Sequence, residues 1–386
     1  MQNKYIKRKN RKLAFFLMIF FLLALSGCNS NGTKIVKIAV MGNSNDFYPG
    51  YKEGVERAVE DLNKEYADSG YQVECSFYNG QNYEDGAAVI DTVVSDASVT
   101  AVIGAIDMEL NKTAAELCEQ NSKLLVVPYF LYDSVYQDNR YDFIFSMCNS
   151  GEYVGHTLRH AAAASGKSRW AICAANRAFE LEETNGFLQH DAADGIQVVD
   201  CVNMTATETN FDEIYKRWEI LGVEGVMMFP ENEEGFELLK KLKQKNPALI
   251  CGGDTAFDNS TRLDEDEELQ RAMTGFIMAD EFILRDETNE EAIMIQEMAK
   301  EYFDKTGLVL DTWYIQGYNA VRMIGDTAIR AGTTNTMEIA QLLHKEGYSG
   351  FCQEFHFSET GAQILAGYQY TIFDESGYGH EYKLDN

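Results

Sequence analysis

Residues 100–128, TAVIGAIDMELNKTAAELCEQNSKLLVVP, contain two short apolar runs separated by a longer amphipathic segment. The runs Thr100 to Ile106 and Leu124 to Pro128 are typical of buried strands, and Leu110 to Asn121 has helical periodicity. A strand, a helix and a second strand in this order form the βαβ unit of a parallel sheet. This stretch therefore predicts an α/β fold.

The same alternation continues on both sides of this unit. Upstream, it predicts strands at Lys34 to Met41 and Tyr71 to Tyr78 and helices at Gly50 to Tyr66 and Asp85 to Ser95. Downstream, it predicts helices at Glu152 to Ser165, Thr184 to Ala193, Phe211 to Leu221 and Glu234 to Lys245, with strands at Arg169 to Ala174, Gln197 to Asn203, Gly225 to Phe229 and Ala248 to Cys251. The last part has two long helices, Glu290 to Thr306 and Thr312 to Ala331, and extended segments at Ser349 to Phe357 and Tyr368 to Phe373. Two successive sheets of this kind predict two doubly wound, Rossmann-like lobes.

The N-terminus has the pattern of an export signal. A basic start is followed by an uncharged apolar run, Leu13 to Leu25, which is too short to span a bilayer. The run ends in Leu25-Ser26-Gly27-Cys28, which resembles the bacterial lipobox. This resemblance implies that residues 1–27 are removed, that Cys28 carries a lipid, and that residues 28–33 form a tether on the extracytoplasmic face of the membrane. The alternative is an uncleaved N-terminal membrane anchor.

Composition and charge limit the class of protein. The chain of 386 residues has 45% hydrophobic residues and a formal net charge of −28, and removal of the six basic residues of the signal would make that −34. Such acidity excludes nucleic acid as a partner and disfavours direct contact with an anionic membrane surface. Of the eight cysteines, Cys173 and Cys251 lie in apolar runs and are expected to be buried thiols, whereas a disulfide among the others remains open.

Several motifs are weak matches to chemical sites. Ser165-Gly166-Lys167-Ser168 lacks the first glycine of a phosphate-binding loop, because residue 161 is Ala161. His156 and His160 share a helix face but have no evident third metal ligand, and residues 264–268 lack the spacing of a calcium loop. We therefore predict no metal, no cofactor and no catalytic residues.

Five stretches resemble the type I periplasmic-binding-protein family, in the branch with the leucine/isoleucine/valine-binding receptors of ABC transporters. They are Lys37 to Val40 with Gly54 to Asn63, Val102 to Ala105, Gly252 to Asp254, Tyr314 to Ala331 with Asn319 in place of the family's Asp, and Tyr348 to Gly361. The resemblance implies two lobes joined by three crossings, with a small solute bound between them. It predicts an N-terminal lobe of residues 34–148 and 276–347 and a C-terminal lobe of residues 149–275 and 348–386.

The resemblance places the solute against loops at the carboxyl ends of the strands. Asp254 matches the position that receives the amino group of the ligand, whereas Asp107 and Glu109 stand where other members bind a carboxylate. We therefore expect a solute with a cationic or polar nitrogen and an apolar or flat surface. The predicted ligand-binding residues are Tyr48, Asp107, Met108, Tyr129, Phe130, Tyr132, Phe179, Glu231, Asp254 and Phe257. Each aromatic residue could instead pack within a lobe, and Asp107 could cap the following helix.

The function that this resemblance implies is that of a monomeric, lipid-anchored solute receptor that delivers its ligand to an ABC permease. A ligand sensor of the same fold that signals to a membrane partner is the second hypothesis. An extracytoplasmic enzyme is the third, and the lack of a recognisable catalytic motif disfavours it.

Overall fold

The computed structural model describes residues 32–41, 49–78, 83–104, 108–128, 131, 135, 140–189, 194–230, 233–257, 263, 266–280, 290–307, 310, 312–361, 369–375 and 379–382. The predicted lipidation site Cys28 and the signal segment lie outside these residues. Within them, no helix combines the length and the apolar character needed to cross a membrane.

The first lobe contains a five-stranded parallel sheet with the order β2-β1-β3-β4-β5. Its strands are β1 (Lys34–Met41), β2 (Tyr71–Tyr78), β3 (Ala101–Ile103), β4 (Leu124–Val127) and β5 (Ile144–Ser146). Its helices are α1 (Pro49–Glu65), α2 (Tyr83–Ser95) and α3 (Met108–Gln120). The central strands β3 and β4 are fully buried, as expected for a parallel sheet covered on both faces.

The second lobe contains a seven-stranded sheet with the order β14-β13-β10-β9-β8-β6-β7. Its parallel part consists of β6 (Arg169–Ala174), β7 (Gln197–Asn203), β8 (Gly225–Phe229), β9 (Ile250–Gly253) and β10 (Ile277–Asp280). The antiparallel edge consists of β13 (Gln369–Phe373) and β14 (Gly379–Tyr382). Its helices are α4 (Gly151–Ala164), α5 (Ala178–Leu188), α6 (Met204–Leu221), α7 (Glu234–Lys245) and α8 (Glu267–Met273).

Alternating side chains of β6 divide the core of the second lobe into two layers. Trp170 and Ile172 pack with α4 and α5 on one face, and Ala171 and Cys173 pack with α6, α7 and α8 on the other. This alternation follows from the two-residue repeat of a strand. The lobe therefore has helices on both sides of its sheet, and the α4–α5 pair forms one complete layer.

Three more helices and a small hairpin complete the first lobe. They are α9 (Glu290–Thr306), α10 (Thr312–Ala331) and α11 (Thr336–Glu346), followed by β11 (Tyr348–Ser349) and β12 (Glu354–Phe355). The ion pair between Arg57 and Glu301 joins α9 to α1, and the buried face of α10 packs in the core of the first lobe. The sequence predicted one extended segment from Ser349 to Phe357. The chain instead forms a hairpin of β11 and β12 in this region.

Two predicted lobe boundaries are wrong. Residues 277–280 pair with β9 and β13 and so belong to the second sheet, although the sequence assigned them to the first lobe from residue 276. Conversely, Tyr348, Phe355 and Phe357 pack in the core of the first lobe, although the return to the second lobe was predicted at residue 348. The positions at which the chain passes between the lobes depend on strand pairing and core packing between residues far apart in sequence. Local periodicity carries no information about such contacts.

The cysteines of the described part of the chain are all unpaired thiols. Burial of Cys173 and Cys251 is confirmed, because both are fully enclosed in the second-lobe core. Burial also raises the pKa of the Cys251 thiol to about 12, so this thiol stays protonated and chemically inert.

Candidate functional site

The candidate site is the edge of the second sheet where its parallel strands end. Residues that follow these strands include Ala175 after β6, Pro230 after β8 and Asp254 after β9. In open α/β sheets, ligands bind outside the carboxyl ends of the strands, where helix N-termini also point. The corresponding loops of the first lobe fall largely outside the described residues.

Asp254 lies at this edge and is almost completely buried, with 6% of its surface exposed. Its Oδ1 atom accepts a hydrogen bond of 3.3 Å from the backbone N–H of Ala256, which forms a tight turn directly after β9. Burial raises the pKa of Asp254 to about 7, and the carboxylate of Glu180 adds to the rise. Asp254 is therefore a carboxyl group that can be neutral or charged under physiological conditions.

Two further carboxyl groups, which the sequence analysis did not single out, accompany Asp254. Glu180 and Glu183 lie on the first two turns of α5 and are 8% and 0% exposed. Burial raises the pKa of Glu183 well above its usual value, and the neighbouring carboxyl groups of Asp254 and Glu180 raise it further. The site thus concentrates negative charge, or protons that replace it, in a region with little access to water.

Close packing between α4 and α5 sets the position of these glutamates. A Cβ atom at Gly155 of α4 would lie 1.8 Å from the backbone oxygen of Glu183, and one at Gly186 of α5 would lie 1.9 Å from the backbone oxygen of Glu152. Only glycine at both positions allows the two backbones to touch in this way. The contact holds α5 against α4, and the Glu183 carboxyl group on α5 interacts with that of Asp254 at the end of β9.

The start of α5 differs from its prediction, which placed the helix at residues 184–193. The helix begins at Ala178, six residues before its predicted start and directly after the loop that follows β6, and it ends at Leu188. The usual burial pattern of a helix is reversed at these positions, because Glu180 and Glu183 are buried while Leu181 and Leu188 are 44% and 40% exposed. A search for an apolar helix face therefore misses the element that carries the buried carboxyl groups.

The other predicted ligand-binding residues have different outcomes. Phe179 is half-buried on α5, where its ring lies beside Gly151 of α4. Phe257 is fully buried, with its ring centroid 5.4 Å from that of Phe236 and 4.5 Å from that of Phe276. Its predicted contact with the ligand is therefore corrected to packing in the lobe core, because the 3₁₀ turn after Asp254 points the ring back under the sheet.

The remaining predicted residues stay predictions. Met108 is the first residue of α3, and only its backbone is described. The residues that lie outside the described part of the chain are Tyr48, Asp107, Tyr129, Phe130, Tyr132 and Glu231. No group of three or more His, Cys, Asp or Glu side chains is arranged to hold a metal ion in the part of the chain that the structure describes.

Comparison with known proteins identifies the family to which this chain belongs. A family model described as periplasmic binding protein matches residues 38–375. A comparison with curated protein sequences finds no match.

Solved structures agree on the fold across nearly the whole chain. An ABC transporter substrate-binding protein from Desulfitobacterium hafniense, in complex with Leu, is 18% identical with a TM-score of 0.75, over 90% of this chain and 100% of that one. A branched-chain amino acid ABC transporter periplasmic ligand-binding protein from Burkholderia xenovorans is 13% identical with a TM-score of 0.76, over 90% and 94% of the two chains. A solute-binding protein from R. palustris, in complex with benzoate, is 13% identical with a TM-score of 0.70, over 90% and 95%. The chain therefore belongs to the periplasmic binding protein family and has its type I fold, with two α/β lobes.

Proposed function

We propose that this protein is the solute receptor of an ABC importer, and that its solute carries a protonated nitrogen. The observation that carries this proposal is the buried position of Asp254 at the carboxyl edge of the second sheet, with Glu180 and Glu183 beside it. A buried carboxylate recognises an ammonium group through charge-assisted hydrogen bonds, and additional carboxyl groups favour a ligand with net positive charge. The membership of the family supports the binding role, and the solute class comes from these side chains.

The proposal extends to the membrane. A lipid on Cys28 would keep the receptor near its permease after export, and the polar residues 29–33 would give it reach. Wild type should incorporate a labelled fatty acid, and replacement of Cys28 by Ser should abolish this labelling because the acceptor thiol is lost. Wild type that incorporates no label and keeps residues 1–27 would favour an uncleaved N-terminal anchor.

A thermal-shift panel on the full chain tests the solute class. The panel contains L-leucine, L-lysine, putrescine and benzoate, so that zwitterionic, cationic and anionic solutes are compared. We expect the cationic solutes to raise the melting temperature most, because a ligand at one hundred times its Kd stabilises the folded state by about 2.7 kcal/mol.

Two variants make the panel specific to the site. Replacement of Asp254 by Asn should abolish the shift, while replacement of Glu219 by Gln, on the exposed surface of the same lobe, should preserve it. Stabilisation by benzoate alone, or an equal response of wild type and Asp254→Asn to putrescine, would show that the carboxyl groups do not select the ligand.

A further inference from the structure

We propose that Glu183 is a positioning residue that shares one proton with Asp254, so that capture of a cationic group by Asp254 releases this proton to solvent. The proposal rests on the proposed function, since it concerns the same site. It adds a coupling between solute binding and proton release that follows from side chains of this chain.

The first argument is the lack of other partners for Glu183. Its side chain is completely buried, and neither of its carboxyl oxygens has a donor of normal hydrogen-bond geometry among the described residues. Its carboxyl group is nonetheless within hydrogen-bonding reach of the Asp254 carboxyl group. Two carboxylates can only accept hydrogen bonds, so a bond between them requires that one of them carry a proton.

The second argument concerns the surrounding charges. The strongest electrostatic influences on Glu183 come from Asp254 at the end of β9 and from Glu180 and Glu182 on its own helix. From α4, Gly155 lies against the backbone oxygen of Glu183, and the acidic residue Glu152 lies with its backbone against Gly186 of α5. Two buried carboxylates in such surroundings do not both ionise, and the pair therefore retains one proton.

The third argument is that Glu183 cannot move away to relieve this repulsion. The contact between its backbone oxygen and Gly155 fixes the helix at this residue, and the side chain is completely buried, so exposure of its carboxyl group to water would require the surrounding elements to move. The pair must therefore adjust its charge by gaining or losing a proton, since its geometry is fixed.

The exchange balances in atoms and charge. Without ligand, the Asp254–Glu183 pair holds one proton and one negative charge. An ammonium group that binds Asp254 stabilises the second negative charge, and the proton leaves from the Glu183 carboxyl group to water. At pH 8, where Asp254 is ionised, the number of protons released per ligand should lie between zero and one, and the affinity should rise with pH while the pair titrates.

Isothermal titration calorimetry of the full chain with putrescine tests the coupling. Titrations at pH 6, 7 and 8, each in phosphate and in a second buffer of higher ionisation enthalpy that buffers at the same pH, give the number of protons released from the dependence of the observed enthalpy on buffer. We expect wild type to release close to one proton and to bind more tightly at pH 8 than at pH 6. The Glu183→Gln variant should still bind, and at pH 8, where Asp254 has already lost its proton, it should release fewer protons than wild type.

A ligand-free measurement separates this inference from the proposed function. Between pH 5 and pH 8 the melting temperature of wild type should fall more than that of Glu183→Gln, because only wild type must force two carboxyl groups towards ionisation. The control Glu219→Gln should follow wild type. If the ligand-free difference is present but putrescine does not bind, the proposed solute class fails and the shared proton stands.

Two outcomes overturn the inference itself. The first is putrescine binding to wild type with an enthalpy that does not depend on the buffer. The second is proton release at pH 8 from Glu183→Gln equal to that of wild type.

Discussion

Replacement of Arg159 by Met is expected to destabilise the second lobe more than any change to a surface ion pair. Arg159 is buried on α4 and bonds through two nitrogens to the carboxylate of Asp194, with NH2 to Oδ1 at 3.1 Å. It also donates to the backbone oxygens of Phe187, at 2.7 Å, and Ile196, at 3.1 Å. One guanidinium group therefore links the end of α5 to the residues that precede β7.

The expected loss in the free energy of unfolding follows from the polar groups that lose their partner when methionine replaces Arg159. Methionine fills most of the aliphatic volume but leaves Asp194 without its cation and two carbonyl groups without a donor. Removal of one member of a buried ion pair costs about 3–5 kcal/mol. The Asp194 side chain is 18% exposed and keeps a bond of 2.8 Å from the N–H of Ile196, so water and backbone compensate in part. We expect the lower end, about 3 kcal/mol, in the free energy of unfolding.

Urea unfolding, monitored by tryptophan fluorescence, measures this loss, because Trp170 reports on the second lobe. Trp170 lies in the same layer as Arg159, with its ring centroid 6.2 Å from that of Phe187. As a control, replacement of Arg271 by Ala breaks an exposed pair, in which the arginine side chain is 69% exposed, and should change stability by less than about 0.5 kcal/mol. A loss below 1 kcal/mol for Arg159→Met would refute the view that this residue holds the α5–β7 connection.

Three further outcomes are expected. Replacement of Gly155 by Ala should cost about 3 kcal/mol or more in the free energy of unfolding by urea, because the new Cβ would lie 1.8 Å from the oxygen of Glu183. Replacement of Asp254 by Asn should stabilise the ligand-free protein by a growing margin as pH rises from about 4 to about 7. In that range the native carboxyl group, whose pKa burial raises to about 7, keeps a proton that the unfolded chain has lost, so wild type loses stability. Thermal denaturation at several pH values measures this, and a margin that does not change with pH would contradict it. Replacement of Lys123 by Met should cost about 2 kcal/mol, measured by urea unfolding, because its Nζ donates a bond of 2.6 Å to the buried backbone oxygen of Val99.

The sequence predicted the strands of both sheets well, for a physical reason. Lys34–Met41, Tyr71–Tyr78 and Arg169–Ala174 match their predicted bounds. Strands of a parallel sheet covered by helices are buried on both faces, so most of them read as short apolar runs between polar loops. The same runs carry the likeness to the family, which explains why the fold could be predicted from one sequence.

The site could be predicted only in part. Asp254 was predicted through the resemblance to the family, which covers the glycine pair at the end of β9 and the residue that follows it. Glu180 and Glu183 were missed because a buried glutamate on a helix contradicts the rule that apolar residues mark the inner face. Phe257 was misplaced because the turn after β9, which decides where its ring points, depends on a side-chain hydrogen bond of Asp254.

The failure of the pattern on α5 is itself informative about function. Local rules break most often at functional sites, and α5 buries Glu183, on which the strongest electrostatic influences come from other carboxyl groups. The glycine contact between α4 and α5 and the ion pair of Arg159 with Asp194 hold the buried carboxyl groups in place. A cationic ligand would offset the unfavourable free energy of burying these carboxyl groups, and this gain would add to the free energy of binding. On this reasoning, variants that neutralise Glu183 should make the free protein more stable and should reduce the additional stability that the ligand provides.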